Sequence, residues 1–165
     1  LNQLIVASLK KAASGKLPGI PTKPNYCLQF VRVVIEDALK LPSHDFYRRH
    51  LVDGTTRRGD DPQRRLAEAR ADPWASDLER SMKLQGLAVP ALLRRGGDLV
   101  FDHRAAEPIG HVGILLDRNW VVESIHPANR PTSINLPNFV SITPYSARPW
   151  TLVARLQPDK GVVPG

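Results

Sequence analysis

The sequence predicts an α+β domain, with N-terminal helices packed on a central antiparallel β-sheet. Three observations predict it. Apolar residues recur at helical spacing through the first half, short apolar runs separated by turn residues follow Gly97, and the only cysteine, Cys27, heads the most apolar of the helical segments.

Each element has its own signal. Residues Asn2 to Ala13 carry Leu4, Ile5, Leu9 and Ala12 at helical period and end near Gly15, and the prolines and glycine of Leu17 to Pro24 make a loop. From about Asn25 to Lys40 a second helix is expected, with Asn25 as N-cap and Leu41-Pro42 as the stop. Its polar residues Arg32, Glu36 and Lys40 fall on one stripe, while Leu28, Phe30, Val31, Val33, Val34, Ile35 and Leu39 cover the rest, so the helix is largely buried. Residues Thr55 to Pro62 form a polar turn, and Pro62 to Arg70 and Pro73 to Leu84 read as short helices, each opened by a proline after an aspartate. Arg57, Arg58, Arg64, Arg65, Arg70 and Arg80 gather positive charge here, and a solvated helical face is the favoured reading over a ligand-binding patch. Strands are expected at Asp98 to Phe101, His111 to Leu116, Trp120 to Ile125, Phe139 to Thr143 and Thr151 to Leu156. No repeat or low-complexity tract interrupts them, and residues 1–165 are read as a single domain.

The 165 residues suffice for one buried core, and 42% hydrophobic composition is ordinary for a globular protein. A single cysteine leaves no internal disulfide. No apolar run approaches the roughly 20 residues of a membrane span. The start, Leu1 to Lys11, has no basic flank ahead of its apolar stretch and is not read as a signal peptide; the lack of an initiator Met suggests a processed product or a piece of something longer. The net charge of +7 fits a polyanionic partner without choosing among nucleic acid, an acidic membrane face and an anionic cell wall.

Chemistry concentrates at two places. A thiol in the first turn of a helix meets unpaired backbone N–H groups, which stabilise a thiolate and also suit a tetrahedral oxyanion. A buried free cysteine without function would look the same in isolation. His111 is the best base of the five histidines, because a strand entered through Gly110 holds an imidazole rigidly, whereas His44, His50 and His103 lie in polar helix, loop or turn sequence. A third group must orient the imidazole. If Leu116 pairs with Trp120 across the Asp117-Arg118-Asn119 turn, Glu123 becomes the same-face diagonal neighbour of His111; if Asp117 pairs with Trp120, Ser124 and His126 take that face. Glu123 is preferred, because a carboxylate in the otherwise apolar Val121-Val122-Glu123-Ser124 needs a reason to be there. Tyr26 and Gly110, beside the two reacting residues, are candidates for substrate contact. No zinc-type cysteine pair, His-Glu-x-x-His, phosphate loop or Gly-x-Ser-x-Gly elbow is present, and His103 with His111 would be two ligands short of a metal site.

The order of these pieces resembles a known family. Cys27 on a helix, then Gly97-Asp98-Leu99-Val100-Phe101, then Gly110-His111-Val112-Gly113-Ile114, is similar to the NlpC-type cell-wall cysteine peptidases and their CHAP amidase relatives over about Tyr26 to Ile125. The chain departs at the nucleophile, with Tyr26-Cys27-Leu28-Gln29 where NlpC-type members usually show Asp-Cys-Ser-Gly, and it carries a helical insertion at about 43–81. The resemblance implies a papain-like fold and cleavage of an amide bond, most naturally in peptidoglycan stem peptides. It implies Cys27 as nucleophile, His111 as base and Glu123 as the orienting residue, with no cofactor required. It also implies an anionic cell-wall polymer rather than nucleic acid as partner, and a secreted or cell-envelope location.

Overall fold

The computed structural model describes residues 1–23, 26–125 and 133–157. Across them run five α-helices and a seven-stranded sheet in which every paired neighbour is antiparallel. This is the expected α+β arrangement. No helix among the described residues is long and apolar enough to cross a membrane.

Helices α1 (Asn2–Ala13) and α2 (Cys27–Leu39) pack together against the sheet. α1 buries Ile5, Ser8, Leu9 and Ala12, one stripe at i, i+3, i+4 and i+7, whereas Leu4, expected inside, is exposed. α2 begins two residues later than expected, and the proposed cap Asn25 lies outside the described residues. It ends at Lys40 in the left-handed conformation, just ahead of Leu41-Pro42. Two of the three residues of its polar stripe are not solvated: Arg32 and Glu36 are buried as an ion pair at 2.7 Å, and the second Glu36 oxygen accepts from Phe46 N–H, while Lys40 is exposed.

A short helix, α3 (Asp45–His50), was not evident in the sequence, because six residues hold too little periodic pattern. In α4 (Pro62–Ala71) Asp61 caps as expected, accepting from Gln63 N–H. α5 (Ala75–Leu84) starts two residues after the expected Pro73. The Asp77 carboxylate takes the Trp74 N–H at 2.7 Å and so moves the start past the proline.

The arginines between Arg57 and Arg80 correct the expectation of a solvated face in part, since Arg57, Arg64 and Arg70 are exposed and the others are not. Asp77 holds Arg58 at 2.8 Å, Asp53 holds both Arg65 at 3.1 Å and Arg80 at 2.8 Å, and the Arg58 and Arg65 side chains are buried. Arg57 reaches Glu107 and Arg64 reaches Glu68. Arg58 ties the turn at 56–58 to α5, and Asp53 ties α4 to α5 through Arg65 and Arg80.

The strands are β1 (Ala88–Val89), β2 (Leu99–Asp102), β3 (His111–Leu115), β4 (Trp120–Ser124), β5 (Ile134–Asn135), β6 (Val140–Pro144) and β7 (Leu152–Ala154), ordered β1-β7-β2-β3-β4-β6-β5. β1 and β5 are two-residue strands, too short to show alternation. Val112, Ile114 and Val122 face the main core with α1, α2 and α5, while Leu115 and Val121 join Val100 and Val153 on the other face. Alternation therefore sets His111 and Glu123 on that second face. Asp98, at the head of β2, is fully buried and ties three parts of the chain together through Asn2, the Arg95 N–H and Arg155.

Candidate active site

Cys27 is the first residue of α2, and the first intrahelical bond runs from Phe30 N–H to the Tyr26 carbonyl. The N–H groups of Cys27, Leu28 and Gln29 therefore precede the helical ladder. The sulfur uses this: it accepts from the Leu28 N–H, from the Val112 N–H at the start of β3, and shares a hydrogen bond with His111. Helix and strand thus meet end to end around one thiol.

The register of β3 and β4 puts Ile114 opposite Val122 and Leu115 opposite Val121, and Leu116 N–H donates to the Trp120 carbonyl. This is the first of the two expected pairings. Continued, it sets His111 opposite Ile125 and Gly113 opposite Glu123, so that Glu123 lies diagonal to His111. Glu123 is fully buried, and its Oε1 is 3.6 Å from His111 Nε2. With Nε2 turned to Glu123, Nδ1 is left to meet the thiol. His126, the alternative orienting residue, lies outside the described residues.

The electrostatics follow from this order of groups. Burial opposes ionisation of Cys27, but the His111 charge and hydrogen bond, with the Val112 and Leu28 N–H groups, outweigh it and lower the thiol pKa below 9.0. Burial likewise opposes the imidazolium, yet the facing thiolate and then Glu123 push His111 from 6.5 up to about 9. The arrangement favours a thiolate–imidazolium pair at neutral pH.

Two glycines permit the approach. At Gly110 φ is +79°, and an added Cβ would come 3.2 Å from Ser76 N; the residue is buried against α5. Gly110, expected to contact substrate, thus packs at the β2–β3 connection, next to Ile109 of the cleft beside Cys27. At Gly113 an added Cβ would fall 2.5 Å from Val121 Cγ1 and 3.4 Å from Glu123 Cβ. A side chain here would collide with Val121 on the strand that carries Glu123.

Trp150, not singled out from the sequence, lies over His111 with ring centroids 5.9 Å apart and planes 26° from parallel. Its indole N–H donates to the Tyr145 carbonyl, and Arg148, paired with Asp102 at 3.2 Å, sits 5.4 Å from the indole centroid. A tryptophan beyond the last long strand carries no motif, so only the fold brings it here.

A cleft of about 430 Å³ opens beside Cys27, walled by Tyr26, Arg32, Tyr47, Arg70 and Trp74 among others. Tyr26 thus stands where a substrate contact was expected. Burial pushes the Tyr47 hydroxyl up to about 12, so it faces the cleft as a neutral group. His103, once paired with His111 as a weak metal candidate, instead contacts Glu79 at 3.2 Å, and no group of three metal-ligating side chains exists among the described residues. Comparison with known proteins gives no match to this chain among family models, curated proteins or solved structures.

Proposed function

We propose that this protein is a cysteine hydrolase of papain-like, NlpC/CHAP type that cleaves an amide bond, most naturally in peptidoglycan stem peptides. The observation that carries the proposal is the line of groups from the Cys27 thiol through the His111 imidazole to buried Glu123, at the edge of an open cleft. Three such groups in sequence are what nucleophilic acyl transfer needs.

The steps follow from the geometry. The Cys27 thiolate attacks the amide carbonyl, the oxyanion is met by the Cys27 N–H at the helix start, and protonated His111 gives its proton to the leaving amine. A thioester remains on Cys27. Neutral His111 then removes a proton from water, which attacks the thioester, releases the carboxylic acid and restores the thiol. Glu123 keeps the ring oriented and supports its charge in both steps, and no step draws on a cofactor.

A second reading of the basic composition, a non-catalytic module that binds a polyanion through the arginines between Arg57 and Arg80, has little support, because five of those six arginines are engaged with carboxylates. The net charge of +7 remains available for adhesion to an anionic wall polymer in a secreted or cell-envelope setting. The test is release of new amino groups from purified cell wall. Wild-type protein should release them and Cys27→Ala should not; equal release by both, or none from wall with cleavage of a protein amide instead, would displace the wall assignment.

A further inference from the structure

Of the charges of the helical segment that have no ion-pair partner among the described residues, Arg70 and Asp72 line the cleft. Arg57, Arg58, Arg64, Arg65 and Arg80 each have a carboxylate partner, whereas Arg70 has only a marginal contact of 3.5 Å with the Leu51 carbonyl. Asp72, on the same wall, forms no ion pair among the described residues. Arg70 is in the last turn of α4 and Asp72 is the residue that ends it, and no ion pair joins them. The other charges around the cleft are already answered: Arg32 by Glu36, and His44 Nδ1 by the Ser43 hydroxyl at 2.9 Å.

The wall is also held in place. Arg58 donates to the Asp72 carbonyl at 2.7 Å and lies 3.6 Å over the Trp74 ring, fixing the turn that presents Asp72. A fixed turn presents Asp72 at a reduced ordering cost.

We propose that the cleft beside Cys27 selects a peptide segment carrying both a carboxylate and an ammonium group, the carboxylate met by Arg70 and the ammonium by Asp72. A planar guanidinium fork suits a carboxylate, and Trp74 and Tyr26 supply apolar walls between the polar ends. This selectivity rests on Cys27 being the nucleophile at the edge of the cleft. It comes from the segment at 43–81 that the sequence marked as an insertion, so it belongs to this chain's own elaboration.

Three bromoacetyl probes test it through alkylation of Cys27, in which the sulfur bonds to the methylene carbon as bromide leaves. Nα-bromoacetyl-lysine carries both charges, its carboxamide only the ammonium, and its Nε-acetyl derivative only the carboxylate. Wild-type protein should react about five- to tenfold faster with the doubly charged probe than with either other. Arg70→Gln should abolish the advantage over the carboxamide alone, and Asp72→Asn the advantage over the Nε-acetyl probe alone, with Arg64→Gln changing neither. Equal rates for all three probes in wild type, or ratios unmoved by these substitutions, overturn the selectivity. Iodoacetamide separates the two levels. A thiol that titrates like a free one and ignores His111→Ala overturns the hydrolase reading and the selectivity with it, while an activated thiol with unchanged ratios overturns the selectivity alone.

Discussion

Buried thiols resist ionisation, and Cys27 is buried, so whatever lowers its pKa has to exceed the cost of burial. His111 is the main counterweight. Iodoacetamide alkylation of wild type should therefore remain fast below the range of a free thiol, about 8.5, and His111→Ala should move the inflection upward toward or past that value. The alkaline limit is set by the other partner. Because His111 is raised to about 9, turnover should fall as pH rises through that value, where the imidazolium that protonates the leaving amine is lost. Glu123→Gln removes a negative charge that supports the imidazolium, so the alkaline limb should shift to lower pH, read from the pH profile of kcat. An unchanged profile would mean that Glu123 does not act on the ring. Trp150→Ala should expose the same ring to water and relieve the burial that opposes the imidazolium, shifting the limb to higher pH while leaving the fold intact by circular dichroism.

At the scale of elements, the strand pairing was the most legible feature, and its reason is local. Asp117 accepts from both Asn119 N–H and Trp120 N–H, so the turn closes on three residues and fixes Leu116 against Trp120. A one-residue slip would have sent Glu123 to the helix-facing side. The helices were legible where a cap or a long apolar stripe exists, as with Asp61 and α2, and illegible where tertiary partners decide. Asp77 reaches back to Trp74 to set the start of α5, and Arg32 with Glu36 turns a polar stripe into a buried pair. Gly113 joins element to site. Its replacement by alanine must push Val121 or the neighbouring strand aside, at a cost of about 1–3 kcal/mol in unfolding free energy measured with urea. The same change should displace Glu123 and lower the alkaline limb, so that stability and pH profile move together in one variant.

For the molecule as a whole, the question is what holds the helical segment 45–84 together, and the carboxylate of Asp53 is central to it. Asp53 binds Arg65 through two contacts and Arg80 through one, and it also accepts from the Gly54 N–H. The sequence showed only the arginines, because their acidic partners lie 12 and 27 residues away and are paired by folding. Burial works against the charged carboxylate, but Arg65, Arg80 and the Gly54 N–H prevail and hold its pKa below 3.8. A carboxylate depressed in the folded state stabilises the fold above its unfolded pKa, and this contribution fades as pH falls through the folded value. Asp53→Asn should therefore destabilise the fold at neutral pH, since it strips the charge partner from Arg65 and Arg80. The difference between wild type and variant should narrow below pH 3.8, as protonation removes the same charge from wild type. Urea unfolding at neutral and at acid pH measures both. A gap that stays constant with pH would assign the loss to packing around residue 53 instead of to its charge.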